Sequence, residues 1–428
     1  MASPFWQQDK GHPTWSAVGV HIHQRIGRVL LCTLTERLFA AKGWSVLGVR
    51  RDDRRRAVVV DLEPVRASAM CSGCGETKRR FHDTKPFREW RHLDGWGTRT
   101  LVRASVRRVR CRHCGIRVEQ VPWARTRSRF THAFEADVLS RARDASISAV
   151  CRQLGLHWTS VMRLIERWVR ESAKRQFRRP LRFIGVDEVS YGRGQSKYLT
   201  IVWDHARARV VWIGEGRERE TLEQFFLKLG RRRSRNLVAV TMDMWQGYIG
   251  AVEAHAPQAD IVFDRFHIER YLTRAVDDVR KAEFFRRGGI YRDAIRGKKW
   301  LLLTKHRRLR RNRRLELMGL LAMNHRLFKA YLFKEQFEHA WTYKTAKGMR
   351  EFIGRWRRLL NWSRLTPLIE FHKMLARHMD GVTAWAEHRL TNAALEGNNS
   401  RVRGLSQRAH GYRNPNNLML VLYHASWR

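Results

Sequence analysis

Two short cysteine pairs constrain this chain more than any other feature. Cys71-Ser-Gly-Cys74 is followed by Gly75, and Cys111-Arg-His-Cys114 by Gly115. A C-x2-C turn aims two thiolates at one point, and the glycine behind it tolerates the tight backbone that turns amide groups toward the sulfurs. Two such knuckles complete a tetrahedral site. Between them, residues 98–110 alternate apolar and basic side chains as a strand does. The arrangement predicts a zinc ribbon with one structural Zn2+ per chain, held by Cys71, Cys74, Cys111 and Cys114. Disulfides or idle thiols are the alternative, but a basic chain without an export signal sits in a reducing compartment, which favours zinc. Four sulfurs leave no open coordination position, so this zinc is not catalytic. His113, inside the second knuckle, reads as a surface residue or a phosphate contact. Cys32 and Cys151 fall in helix-like apolar patterns and read as core.

The 428 residues suffice for roughly three domains. They carry 85 Lys+Arg against 40 Asp+Glu, a formal charge of +45. Such an excess repels itself unless a polyanion neutralises it, which points to nucleic acid as the partner. A membrane-surface protein would confine its charge to one patch or helix; here arginine is spread over the whole sequence. No apolar run approaches the ~18 residues of a membrane span. The amino-terminus lacks a basic region followed by an apolar stretch, so the expected location is the cytoplasm. A hydrophobic fraction of 43% argues against global disorder.

Residues 1–28 show no clear period and read as a leader. An amphipathic helix is expected over 28–41, and apolar runs at 44–49 and 57–62 flank a basic tip as a hairpin would. With the ribbon these make a domain over 29–125. Residues 131–173 have helical periodicity, and within 126–175 the cadence is that of a helix–turn–helix. A short helix carries Ala149 and Val150 inward, Gly155 makes the turn, and a second helix starts near Trp158. Val161, Leu164, Ile165 and Trp168 form its buried stripe. Thr159, Ser160, Arg163 and Arg167 point outward, available to bases and phosphates in a major groove. An ordinary helical hairpin is the plainer alternative.

After a linker at 176–180 the period changes. Strands are expected at 182–187, 197–204, 209–214, 236–243 and 260–264, with helices at 221–230 and 246–256. The order β-β-β-α-β-α-β predicts three antiparallel strands followed by two crossover units. From 267 to 389 the chain is helical and very basic. Phe352, Trp356, Leu359 and Leu360 read as a buried stripe. The cationic run over 306–314 offers Arg307, Arg308, Arg310 and Arg311 to phosphates, although a solvated face is the usual reading of such a run.

Three acids stand out by position. Asp187 ends the first strand, Asp243 ends the fourth, and Glu396 sits in a helical stretch. In this strand order the first and fourth strands are central neighbours, so their terminal carboxylates converge. Like charges that close repel unless cations bind between them, and hard oxygen ligands suit Mg2+ or Mn2+. Two such metals per site catalyse in-line phosphoryl transfer. Asn399, Ser400 and Arg403 share a helix face with Glu396 and would contact the scissile strand. Glu188 is expected to face away from Asp187 by the two-residue period. Asp204 either approaches the site or pairs at a turn. Asp264 is the strongest rival to Asp243. Trp245 reads as a core tryptophan, with stacking on a distorted base as the alternative.

These pieces, in this order, resemble the DDE transposases of bacterial insertion sequences, specifically the ISL-three family, over about residues 30–425. The resemblance rests on the paired-cysteine ribbon and the helix–turn–helix. It rests also on Gly185-Val-Asp-Glu188, Thr241-Met-Asp-Met-Trp245, Phe263-Asp-Arg-Phe-His267 and Leu395-Glu-Gly-Asn-Asn399. It implies a multidomain α+β chain in which the zinc ribbon and helix–turn–helix precede an RNase H-like α/β core. That core is interrupted by an all-helical insertion: core at 181–268, insertion at 269–388, last part of the core at 389–428. By motif position the family's acid triad falls on Asp187, Asp243 and Glu396. The resemblance also implies DNA partners, namely the element's terminal inverted repeats and target DNA, a homodimer on paired ends, and association with nucleoid DNA. A catalytically inactive DNA-binding regulator derived from a transposase is the alternative, and the presence of all three acids argues against it. An RNA-processing nuclease with the same core is a third reading.

Overall fold

The computed structural model describes residues 41–427, except 42, 96, 177–178, 192–196, 287, 394–396, 398, 401–403, 405–406, 408, 410–411 and 413. The leader, the body of the helix expected over 28–41, and Cys32 lie outside the described residues. The chain divides into two compact units, Met1–Arg141 and Ala142–Arg428.

In the first unit, β1 (Trp44–Asp52) and β2 (Ala57–Pro64) form the expected hairpin around a basic turn. The short pair β3 (Ala69–Met70) and β4 (Thr77–Lys78) carries the first cysteine knuckle. Next come β5 (Phe81–Thr84), β6 (Arg88–Gly95), β7 (Thr98–Ala104), β8 (Arg107–Cys111) and β9 (Gly115–Val118). One sheet has the order β1-β2-β7-β6 and another β5-β8-β9. Along β7, Thr100, Val102 and Ala104 are buried in alternation, as the sequence pattern suggests. Residues 98–110 are not one strand, however. The chain leaves the first sheet after Ala104 and enters the second at Arg107. The buried Val106 between them accepts from the Lys85 amide at 2.9 Å, and this bond holds the crossing point. An alternation that persists through a turn gives no sign of it. The core packs Val60, Leu62, Trp90 and Val102 together, with Trp44 and Trp90 edge-on to Trp123 at 4.8 and 5.4 Å. Helix α1 (His132–Arg141) buries Phe134 and Val138.

The second unit opens with α2 (Ile147–Leu154) and α3 (Trp158–Gln176). The Ser146 hydroxyl accepts from the Ala149 amide at 3.3 Å and caps α2. Gly155 closes α2 at φ +62°, where a side chain would be strained. Val150 is buried together with Ile147 and Leu154, while Ala149 is only half-buried. Val161, Leu164, Ile165 and Val169 form the inner face of α3. Trp168 is half-buried, edge-on to His424 at 5.0 Å.

The sheet follows the expected element order: β10 (Phe183–Ser190), β11 (Tyr198–Asp204), β12 (Arg209–Glu215), α4 (Arg219–Leu229), β13 (Ala239–Met242), α5 (Gln246–His255) and β14 (Asp260–Phe263). Its strand order is β12-β11-β10-β13-β14. β10, β11 and β12 are antiparallel, and β13 and β14 run parallel to β10. Every residue of β13 is buried, as befits a strand covered on both faces. One face takes Leu222, Phe225 and Phe226 from α4. The other takes Leu418 and Leu422 from α6 (Pro415–Ser426), packed on Leu199, Ile201 and Trp203.

After β14 the chain is helical to His388, beginning with the long helix Arg265–Arg286. This region shares one apolar core with the sheet, from Val240 and Phe263 to Trp356 and Phe371. In the helix Ala346–Asn361 the buried residues are Met349, Ile353, Trp356 and Leu360. Leu359, expected in that stripe, is 58% exposed. The stripe steps by whole turns, and Leu359 sits one residue off it. Among the described residues no helix is long and apolar enough to cross a membrane.

Candidate active site

The parallel pairing of β10 and β13 ends with Gly185 opposite Thr241. Two residues further along stand Asp187, still on β10, and Asp243, one residue past the end of β13, and both line one cavity. β13 stops at Met242, whereas β10 runs on to Ser190 paired only with β11. The flank left open becomes a cavity of about 430 Å³ at the carboxyl ends of the parallel strands, where α/β sheets bind ligands. Its lining includes Asp187, Glu188, Asp243, His267, Arg270 and Asn399.

Each acid is held. Asp187 accepts from the Asn399 side-chain amide at 2.8 Å and from the Glu188 backbone amide at 2.8 Å. Asp243 lies 2.5 Å from Nδ1 of His267, which also faces the fully buried Asp264 at 3.5 Å. Burial alone would push the His267 imidazole down, but Asp243 and Asp264 outweigh it and raise it to about 10, so the ring is cationic at neutral pH. Glu188 also lines the cavity, contrary to the two-residue expectation. Beyond Gly185 the cavity wraps round the free flank of β10 instead of covering one face, so alternation no longer separates the two acids. Burial pushes the Glu188 carboxyl up, and Asp243 adds to this while Arg217 opposes it.

Glu396 and Arg403 lie outside the described residues. Asn392 and Asn399, on either side of Glu396 in sequence, do not. Asn392, buried, donates to the Val186 carbonyl at 3.2 Å and accepts from the Thr241 hydroxyl at 2.5 Å. Thr241 also meets Nε2 of His205 at 2.7 Å. The threonine has one proton and gives it to Asn392, so His205 must present Nε2–H. Burial pushes the His205 imidazole down, in keeping with a neutral ring. Gly185 is obligatory here: a Cβ would stand 2.6 Å from Oδ1 of Asn392. The segment on either side of Glu396 is thus tied to β10 at Val186 and Asp187.

The cysteines present a different kind of site. The sulfurs of Cys71, Cys74, Cys111 and Cys114 all lie within 4.8 Å of one another. Gly75 and Gly115 adopt φ +77° and +72°, the tight backbone expected behind each knuckle. Burial opposes ionisation of Cys111, but the backbone amides of Cys114 and His113 bring its thiol down to about 7; burial pushes Cys114 up to about 12. Thiols so unequal become four thiolates together only around a cation. This is the structural zinc site. Among the described residues it is also the only group of three or more His, Cys, Asp or Glu side chains found close enough together to hold a metal ion. Asp187, Glu188 and Asp243 therefore supply hard oxygen donors suited to a divalent ion but do not close on one by themselves.

A family profile described as a transposase, DDE type of family ISL3, matches residues 184–422. Two more match in front of it: the helix-turn-helix domain of transposase family ISL3 at 119–169, and the zinc-finger of transposase IS204/IS1001/IS1096/IS1165 at 67–114. The chain belongs to the ISL3 transposase family. The transposase for insertion sequence element IS1001 of Bordetella parapertussis is 30% identical over 379 residues, covering 87% of this chain and 93% of that one. The transposase for insertion sequence element IS1557 of Mycobacterium tuberculosis is 29% identical, covering 82% and 84%. This chain is accordingly a DDE-type transposase, a DNA-binding enzyme that uses a divalent metal such as Mg2+ and carries structural zinc.

On α3 of this transposase, Thr159 and Arg163 are exposed and Ser160 and Arg167 half-buried. Arg307 pairs with Glu338 at 2.7 Å, while Arg308, Arg310 and Arg311 are exposed on the helical region. Cys151 is half-buried. His113 is a surface residue. Asp204 pairs at a turn with Arg207, 2.7 Å away. Asp264 is turned toward His267 and does not line the cavity. Trp245 is no core residue: it is 43% exposed, its indole donates to the Arg217 carbonyl at 3.2 Å, and the Arg217 guanidinium lies over its ring. It stands two residues after Asp243, where the chain has already left the sheet. Spacing alone does not reveal that His267 and Asn399 hold the acids or that Asn392 bonds to β10. For His267 a partial signal exists, since it stands one helical turn after Asp264.

Proposed function

We propose that Asp187, Asp243 and Glu396 are the acids with which this transposase binds two Mg2+ (or Mn2+) ions and cleaves and transfers DNA strands at the ends of its element. The observation that carries this reading is that Asp187 and Asp243 line one cavity at the ends of adjacent parallel strands, with Asn392 and Asn399 bonded to β10 at Val186 and Asp187. Magnesium held by these carboxylates supplies the Lewis acidity that activates water or a 3′-hydroxyl and stabilises the leaving oxygen. The chain's own residues set the stage for it. Asn399 fixes the rotamer of Asp187 from one oxygen and the Glu188 amide from the other. His267 holds Asp243 at the mouth of the strand pair and keeps positive charge beside it. Asn392, Thr241 and His205 pin the start of the segment that carries Glu396.

The same reading assigns Thr159, Ser160, Arg163 and Arg167 to the terminal inverted repeats. Arg307, Arg308, Arg310, Arg311 and Arg403 are assigned to flanking or target DNA. It divides the chain into ribbon, helix–turn–helix, core and insertion at the boundaries given above, and has it act as a homodimer on paired ends, in the cytoplasm at nucleoid DNA. Support comes from the family, the charge of +45 and the exposed arginines.

The test is cleavage and strand transfer on DNA carrying the repeats that flank its gene, with Mg2+. Asp187→Asn and Glu396→Gln each remove a proposed ligand, and each should reduce both steps by more than the about 10–100-fold that loss of a supporting residue costs. Equal activity in wild type and both variants would end the assignment.

A further inference from the structure

The first unit contains a second large cavity, of about 370 Å³, beside the zinc knuckle. Six cationic side chains line it: Lys85, Arg88, Arg108, Arg117, Arg125 and Arg127. Its one acid, Glu119, is already matched by Arg107 at 2.7 Å. Some of the cations have structural duties. Arg88 donates to the Ser128 carbonyl at 2.7 Å, Arg108 pairs with Asp83, and Arg117 donates to the Cys114 carbonyl at 2.9 Å. Lys85 and Arg127 have no acidic partner among the described residues.

One further observation points to a ligand. Arg127 stands at the third position of a turn closed by the Ser128 amide on the Arg125 carbonyl at 3.0 Å, and its φ is +64°. Glycine would adopt that conformation freely; an arginine there is strained, and strain of this kind collects at binding sites. The volume falls within the ~300–1,000 Å³ of sites that take a small organic group and exceeds what a lone ion needs.

We infer that this cavity seats a backbone phosphate of bound DNA together with part of its nucleotide, with Lys85 and Arg127 as the phosphate ligands. The first unit then grips DNA in a built pocket and not only along an exposed basic face. The inference rests on the reading of the chain as a DNA binder, but not on its chemistry at Asp187 and Asp243.

The experiment uses the full chain, a random-sequence DNA duplex, and no divalent metal, and follows affinity as a function of KCl. Each phosphate contact contributes about 0.9 to the slope of log affinity against log salt, so Lys85→Ala with Arg127→Gly should make that slope shallower by roughly 1.8. Arg127→Gly alone should shift it by roughly 0.9, and this variant also relieves the backbone, so its melting temperature should not fall. Arg127→Lys should keep the wild-type slope. An unchanged slope in Arg127→Gly overturns the inference. So does displacement of the duplex by a free deoxymononucleotide at equal concentration, which would make the cavity a small-molecule site. A wild type that shows no salt-dependent duplex binding would overturn the DNA-binding reading itself, a result distinct from either.

Discussion

The zinc site and the proposed magnesium site of this chain are built in opposite ways. The cysteine cluster is local and closed: Cys74 and Cys111 touch across 37 residues, and four sulfurs complete the ligand set. The acid cavity is distant and open. Asn399 reaches Asp187 from 212 residues away, and His267 lies against Asp243. A closed thiolate set makes metal binding part of folding. An open carboxylate set keeps room for water and a phosphodiester, and depends on supporting residues to stay poised.

The sharpest contrast is in what metal removal does. Cys111→Ser, or a strong chelator, should lose about one equivalent of zinc. Structural zinc contributes about 10–16 kcal/mol in zinc-finger peptides, more than a small unit's total stability, so the first unit should melt out. The second unit has its own core and should keep its transition. Elemental analysis with calorimetry checks both, and zinc retained by the variant would break the comparison. A smaller effect is expected at the open site. Asn399→Ala should lower DNA cleavage by about 10–100-fold while zinc content and both melting transitions stay in place. Asn399→Asp should be at least as impaired, since it sets a second carboxylate against Asp187.

The smallest effect is a pH signature in the metal-free protein. His267 is raised from 6.5 to about 10 by Asp243 and Asp264. A raised imidazole contributes stability that is fully present below pH 6.5 and is lost as pH climbs through about 10. The melting temperature of wild type should therefore exceed that of His267→Gln most below pH 6.5, and the gap should close toward pH 10. A gap independent of pH would mean that the Asp243–His267–Asp264 contacts do not carry charge.

What could be read from the sequence follows the same division. The knuckles, the strand order, the turn at Gly155 and the positions of Asp187 and Asp243 are signalled by spacing and period within short windows. The side-chain environment is not. The Glu188 orientation depends on where β13 stops relative to β10, which no local pattern records. Trp245 looks apolar enough for a core, but it stands just past a strand end. Asn392 and Asn399 look like ordinary polar helix residues, and their roles appear only when the chain returns to β10. The break between β7 and β8 is set by one bond from Lys85, outside the alternating stretch itself. Leu359 differs from its buried neighbour Leu360 only by the rotation of a single residue.

The central claim is that Asp187, Asp243 and Glu396 surround a shared divalent ion, and iron-directed cleavage of the polypeptide tests it most directly. Fe2+ with ascorbate and peroxide should cut the chain near residues 187, 243 and 396, and excess Mg2+ should suppress all three cuts together. Cuts near 187 and 243 but none near 396, or cuts that Mg2+ leaves untouched, would contradict the account.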